Sequence, residues 1–424
     1  MNVLLVTYGT AGDVHPFVGI GRALKARGHS VTLLANEHFI TMAERSGLGF
    51  AAVGRKEEYD ALLRNPRIWR GVAGALELGR QMVAAMPAQF NAIAERSPTG
   101  QTVIVASGAA FGARIAHEVL GCPLVTVALQ PALFASLHRM PVVAGAPRIP
   151  TSTPRVFKRL IKGVVYFLAD RFFHVARINE FRARLGLGPI REPVADWWFS
   201  PQRVIGLFPD WFGDPQPDWP TTVRLTGFPL YDEREHEPTL APELERFLAS
   251  GEPPIVFTPG TGMMHAKRFF ATAVRVCGLL KRRGLLLTRF REHVPPSLPS
   301  SIQHVEYVPF SVLLPRAAAI VHHGGVGTCA QALAAGLAQV VMPMAYDQPD
   351  NADRLKRLGV AEVVSPGAFR PASVARRLQR LLKEPRVMER CADLARRLSG
   401  ADALTPTCEL IERLAPTAAA HPGS

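Results

Sequence analysis

Cysteine is scarce in this chain: Cys122, Cys277, Cys329, Cys391 and Cys408 are scattered through 424 residues, and no two form a C-x-x-C pair. An odd number without spacing excludes a disulfide framework and a zinc site, and fits a reducing cytoplasm. Long apolar runs are missing as well. No stretch reaches the roughly 18 residues that a membrane-spanning helix needs. The first strand pattern begins at Asn2, with no charged or apolar leader ahead of it, so a soluble or peripheral protein is expected. The net charge is +14, yet no Lys/Arg block is interleaved with aromatic residues as a nucleic-acid footprint requires. Anionic surfaces and anionic small molecules suit that charge better. Neither G-x-G-x-x-G nor D-x-D occurs, and there is no short tandem repeat. Gly9 and Gly12 make only G-x-x-G, so a dinucleotide fingerprint with Glu37 as its ribose acid fails on spacing.

What is present is an ordinary globular composition, 48% hydrophobic, with length for two or three domains. Apolar residues 2–7 read as a strand, Pro16 as the first-turn proline of a helix over 17–27, residues 30–35 as a second strand and 37–45 as a helix. That is a βαβ unit of a parallel sheet. Strands at 101–106 and 123–128 around a helix at 111–120 repeat the pattern, with one or two helices between 71 and 96. Residues 130–153 form a proline-rich stretch without a period and read as a loop. Residues 155–184 read as one long helix that packs on the first domain or presents a basic, aromatic face to a membrane or lipid. Its apolar set includes Phe157, Leu160, Ile161, Val164, Phe167, Phe172 and Phe173, mixed with Lys158, Arg159, Lys162 and Arg171. Strands at 203–208 and 222–226 precede a charged linker over 227–238. The α/β alternation restarts at 254–258, with a helix over 266–282 and strands at 285–288 and 303–307. Helices over 371–383, 386–398 and 403–414 and a disordered tail from 416 close the chain.

The chemistry concentrates from Ala319 to Gln331. An apolar strand, a glycine turn and a helix start follow one another directly. First-turn N–H groups lack intrahelical partners and carry partial positive charge, so a pyrophosphate there gains hydrogen bonds and field together. His323 adds a side-chain donor and Thr328 a hydroxyl, whereas His322 is expected to point into the core. A strand over 339–342 ends at Pro343, and Asp347 and Gln348 lie beyond its carboxyl end, the edge where open α/β sheets bind ligands. Asp13 stands at the same kind of edge after the first strand, with His15 two residues on. The structural reading of Asp13 is an N-cap for the helix that starts at Pro16.

His323-Gly-Gly-x-Gly-Thr328, a small-residue helix, a strand ending in proline and Asp347-Gln348 resemble the donor-binding motif of the GT-B glycosyltransferases of family 1. The likeness is in particular to rhamnolipid-type rhamnosyltransferases, sterol glucosyltransferases and glycopeptide-antibiotic glycosyltransferases. Gly9-Thr-Ala-Gly-Asp-Val-His-Pro16 resembles the acceptor loop of the same enzymes, so the likeness covers both halves. It implies an α/β GT-B fold of two doubly wound Rossmann-like domains facing a cleft. Residues 1–232 would bind acceptor and 233–400 nucleotide sugar; a helix over 401–415 would cross back to the first domain, ahead of the tail at 416–424.

The implied activity is an inverting, metal-independent transfer of a hexose from dTDP-rhamnose or a UDP-sugar to a hydroxyacyl lipid, sterol or polyketide. Asp13 would be the base, with His15 the alternative. The supporting aspartate of plant-type relatives has no counterpart, because no aspartate occurs between Asp60 and Asp170. His323, Gly324, Gly325, Gly327 and Thr328, with Thr261 and Gly12, would hold the donor. Tyr307 would stack on the base and the Val308 backbone pair with it, where the family has an aromatic residue followed by x-Pro-Gln; Phe310 lacks that amide. Gln331 stands where a glutamate often holds the ribose diol and offers weaker, neutral hydrogen bonds. Asp347 and Gln348 would contact sugar hydroxyls. No metal or cofactor is expected, nor nucleic acid; an anionic membrane at its cytoplasmic face is an expected surface partner. The competing readings are a nucleotide-sugar epimerase or hydrolase of the same fold and a non-catalytic partner subunit.

Overall fold

The computed structural model describes residues 1–69, 71–97, 101–172, 174–191, 197–232 and 240–415. The expected tail from 416, Phe173 and the end of the expected linker, 233–238, lie outside them. Packing divides the chain into two compact units: one comprises Met1–Pro141, Arg148–Pro229 and the residues from Asp402 onward, the other Val142–Pro147 and Leu230–Ala401.

Seven parallel strands build the first unit: β1 (Asn2–Val6), β2 (Ser30–Ala35), β3 (Gly49–Ala52), β4 (Thr102–Ser107), β5 (Leu124–Ala128), β6 (Arg203–Gly206) and β7 (Val223–Leu225). Their order is β3-β2-β1-β4-β5-β6-β7. Val3 to Val6 are fully buried, because crossover helices cover both faces of a parallel sheet and leave no position for a polar residue. The order reverses between β1 and β4, which opens a crevice at the carboxyl ends of those strands.

The second unit has six: β8 (Ile255–Thr258), β9 (Gly284–Leu287), β10 (Ile302–Val305), β11 (Ala319–His322), β12 (Ala338–Val341) and β13 (Ala361–Val363), again all parallel. They run in the order β10-β9-β8-β11-β12-β13. Here the reversal falls between β8 and β11, paired from Ile255 with Ala319 to Thr258 with His322. The loops that follow these two strands are thereby set side by side.

Several elements depart from the sequence pattern. The first helix is Ala11–Ala26, not 17–27, because Thr10 and Asp13 form a capping box that starts it earlier. Pro16 falls in its second turn, where the missing N–H leaves the Gly12 carbonyl without an intrahelical donor. The expected helix over 155–184 is two, Arg155–Phe172 and Val175–Arg184; His174 has φ +43°, a left-handed conformation that no right-handed helix carries through. Of the one or two helices expected between 71 and 96 there is one, Gly71–Ala94, with Pro87 inside it, as that reading allowed. Asp347 and Gln348 lie at a helix start: Asp347 takes the N-cap position of the helix Gln348–Arg357, without a side-chain capping bond. Near the C-terminus the helix Leu404–Glu412 lies on the first unit. Glu412 accepts from Arg27 Nε and Nη2, both at 2.7 Å, and sits 2.8 Å from His29 Nε2.

Candidate functional site

In the second unit β11 ends on His322, and the chain turns through His323 and Gly324 to Gly325, which caps the helix Val326–Ala334. The N–H groups of Gly325, Val326, Gly327 and Thr328 have no intrahelical acceptors and point out of the helix start. His322 is fully buried. Its Nδ1 accepts the Gly324 N–H at 3.1 Å, so the proton is on Nε2, which donates to Gln339 Oε1 on β12 at 2.9 Å. Burial, and then the neighbouring His323, push its pKa down to about 3 against the Gln339 hydrogen bond. It is a neutral brace for the turn, as its expected inward orientation required.

His323 occupies a slot made by two missing side chains. A Cβ on Gly260, in the loop after β8, would lie 2.7 Å from its Cε1, and a Cβ on Gly325 would lie 2.5 Å from its Nε2. Gly260 also has φ +95°, a conformation that L side chains rarely adopt. Burial lowers the His323 pKa to about 4, so the ring is neutral at pH 7. Its Nδ1 is buried without a hydrogen-bond partner. A bare lone pair costs less there than an orphaned N–H, which assigns the proton to Nε2, the nitrogen beside Gly325 at the helix start.

Around this slot the loop after β8 adds Thr261, exposed, whose carbonyl accepts from Arg289 Nη2 at 3.4 Å. Thr328 is half-buried in the first helical turn and Gln331 is buried one turn further. Gln348 is buried, and its Oε1 accepts the N–H groups of Met344 at 2.8 Å and Ala345 at 3.2 Å. Asp347 Oδ2 accepts from Asn351 Nδ2 at 2.6 Å, and the same amide donates to the Gly324 carbonyl at 2.9 Å. Asn351 therefore ties the acid-amide pair to the glycine turn. Sequence reasoning passed over it, although its i+4 spacing from Asp347 is a helical signal once the helix is recognised. One turn on, a buried Asp350–Arg354 pair at 2.6 Å also accepts the Val142 N–H at 3.0 Å, fixing part of the proline-rich loop to this unit. Tyr307, half exposed, and Val308, buried, follow β10, two strands from β8.

Asp13, His15 and Gly12 belong to the first unit, in the helix that starts after β1. Asp13 is the third helical residue, not an N-cap. Its Oδ2 accepts the Thr10 N–H at 2.7 Å and the Thr10 hydroxyl at 3.2 Å, while the Thr7 hydroxyl donates to its carbonyl at 3.2 Å. Burial raises the carboxyl pKa, and the two Thr10 hydrogen bonds oppose the rise. Gly9 has φ +137°, and a Cβ there would meet Oδ2 at 2.3 Å. His15 is half-buried two positions on, and residues so spaced on a helix do not face each other. Gly12 is exposed in the first turn.

Residues 3–137 match the glycosyltransferase family 28 N-terminal domain, and residues 287–414 the erythromycin biosynthesis protein CIII-like C-terminal domain. The chain is 33% identical to the O-mycaminosyltylonolide 6-deoxyallosyltransferase of Streptomyces fradiae over 85% of this chain and 84% of that one. The glycotransferase of kitacinnamycin superposes with a TM-score of 0.74 over 98% of this chain and 99% of its own, at 23% identity. Spinosyn rhamnosyltransferase SpnG complexed with thymidine diphosphate does so at 0.67 over 96% and 100%, at 16% identity. Matched domains in both halves, and a relative one-third identical along most of both chains, show that this chain belongs to the GT-B glycosyltransferases.

Proposed function

We propose that the protein is an inverting, metal-independent hexosyltransferase that uses a pyrimidine nucleoside diphosphate sugar and a lipophilic alcohol. The observation that carries this reading is the neutral His323 ring, slotted between Gly260 and Gly325 at the start of a helix. In the proposed step the acceptor oxygen attacks the anomeric carbon while the bond from that carbon to the diphosphate oxygen breaks. The electron pair leaves with the diphosphate and the acceptor proton passes to the Asp13 carboxylate. One displacement inverts the centre. First-turn N–H groups and the His323 N–H receive the developing charge in place of a cation. The raised Asp13 pKa brings that base nearer to neutrality, where proton transfer is most effective.

Thymidine is the preferred nucleoside, ahead of uridine. Gln331 offers a ribose only neutral hydrogen bonds, and a deoxyribose without the 2′-hydroxyl tolerates that best. Thymidine diphosphate in a protein of the same fold supports the choice. A relative named as a 6-deoxyallosyltransferase supports a deoxyhexose such as rhamnose. The acceptor is a hydroxyacyl lipid, sterol or polyketide, and the reaction is cytoplasmic.

Thermal stabilisation across TDP, UDP, ADP, GDP and NAD tests the donor, since a ligand at 100 times its Kd stabilises the folded state by about 2.7 kcal/mol. TDP is expected to give the largest shift; a shift with NAD alone, or with none, overturns the reading. Asp13→Asn should keep the TDP shift and lose about 10²- to 10⁴-fold in turnover. Normal turnover would remove Asp13 as base. Diphosphate release without any acceptor would favour a hydrolase.

A further inference from the structure

We infer that the exposed face of the helix Arg155–Phe172 docks on an anionic lipid bilayer. This helix is amphipathic the wrong way round. Lys158 is buried, and its Nζ donates to the Thr151 carbonyl at 2.7 Å and reaches the His138 carbonyl at 3.4 Å. Lys162 Nζ donates to the Ala135 carbonyl at 3.2 Å. Both ammonium groups thus turn inward to satisfy carbonyls of the proline-rich loop that lie outside its one short 3₁₀ helix, Pro131–Leu133. The apolar residues are left outside.

Val156, Leu160, Val164 and Phe167 follow one another at intervals of four, four and three, a single stripe along the helix. With Phe157 and Val165 beside them, they are between 44% and 75% exposed. These six are drawn from only fourteen exposed large apolar side chains among the described residues, so they form a patch, not surface scatter. Arg155 and Arg159 are exposed with them.

Charge selects the occupant. From Val119 to Ala169 the sequence has no aspartate or glutamate, and with Lys158 and Lys162 turned inward and Arg139 paired to Asp214, the exposed Arg155 and Arg159 set the charge beside the stripe. A second copy seated by a two-fold axis would set this stripe against itself, arginine towards arginine. An anionic bilayer accepts the apolar stripe into its headgroup region and pairs the arginines with lipid phosphates. The inference stands apart from the transfer reaction, although a lipophilic acceptor would be met at the same surface.

Sedimentation with vesicles of phosphatidylcholine containing about one-third phosphatidylglycerol tests it. The protein should pellet with them, and about 10-fold less with phosphatidylcholine alone. Leu160→Glu should weaken binding about 10-fold or more by placing a charge in the apolar stripe. Combined Arg155→Glu and Arg159→Glu should weaken it roughly 30-fold and flatten its salt dependence. All three positions are exposed, so the variants should keep wild-type melting and the wild-type response to TDP. Vesicle binding without a TDP response would uphold this inference and sink the proposed donor. No pelleting with anionic vesicles, pelleting unchanged by Leu160→Glu, or a solution dimer that Leu160→Glu dissociates would overturn it.

Discussion

Glycines at the site act through the side chains they lack. Gly9 leaves the space that Asp13 Oδ2 fills, and Gly260 leaves the space for the His323 ring. At Gly260 an alanine would meet both the ring and a left-handed φ, which costs an L residue about 1–2 kcal/mol. Gly260→Ala is therefore expected to weaken TDP binding by about 10-fold or more, equivalent to about 1.4 kcal/mol, by displacing the imidazole. An unchanged Kd from calorimetry would mean that the ring does not hold the diphosphate. At Asp13 the Thr10 hydroxyl favours the ionised carboxylate and partly offsets the effect of burial. Thr10→Ala removes that hydroxyl but keeps the backbone N–H bond. The acid limb of the kcat/KM profile should then move to higher pH; a limb that stays in place would exclude the hydroxyl as a determinant of the base.

At the scale of the element, the turn from β11 into its helix is held from below. His322, neutral and buried, takes the Gly324 N–H on one nitrogen and gives its own to Gln339. Gln339→Leu would leave a buried N–H unsatisfied, at a cost of about 1–3 kcal/mol in denaturant-induced unfolding. Part of this is offset, because Gln339 Nε2 is itself buried without a partner in the wild type. A destabilisation near zero would mean that the Gln339 hydrogen bond does not brace the turn. The same strand-turn-helix was legible in the sequence because an apolar run, glycines and small residues mark its three parts. β3 and β13 were not, since each is a short, only partly buried edge strand without a continuous run of bulky apolar residues. The start at Ala11 was hidden by Pro16, whose usual first-turn position is the stronger local signal.

At the scale of the whole chain, the last helix closes the first unit. Arg27 chiefly, and His29 with it, hold Glu412 down to a pKa of about 2, against partial burial. Because this folded value lies below the ordinary 4.5, the stabilisation is full above that pH and is lost as pH falls towards about 2. Glu412→Gln should thus melt at a lower temperature than wild type at neutral pH, and the difference should close between about pH 4.5 and 2. A difference that persists in acid would assign the effect to packing. The two units divide between Pro229 and Leu230, and Val142–Pro147 packs with the second unit.

The sequence by itself determined the parallel α/β architecture, its two halves, and the acid, histidine and glycine positions to which the chemistry is assigned by proposal. Strands buried on both faces must be apolar, and tight turns at their ends must be glycine-rich, so local pattern is sufficient there. Only the tertiary structure decided that Gly260 shapes the slot of His323, that Asn351 joins Asp347 to the Gly324 carbonyl, and that two lysines point inward so that an apolar face points out. Periodicity reports how much of an element is buried; it does not name the partner. These contacts join residues that no local pattern relates, and the last of them reverses the usual rule because loop carbonyls needed donors more than water needed the charge.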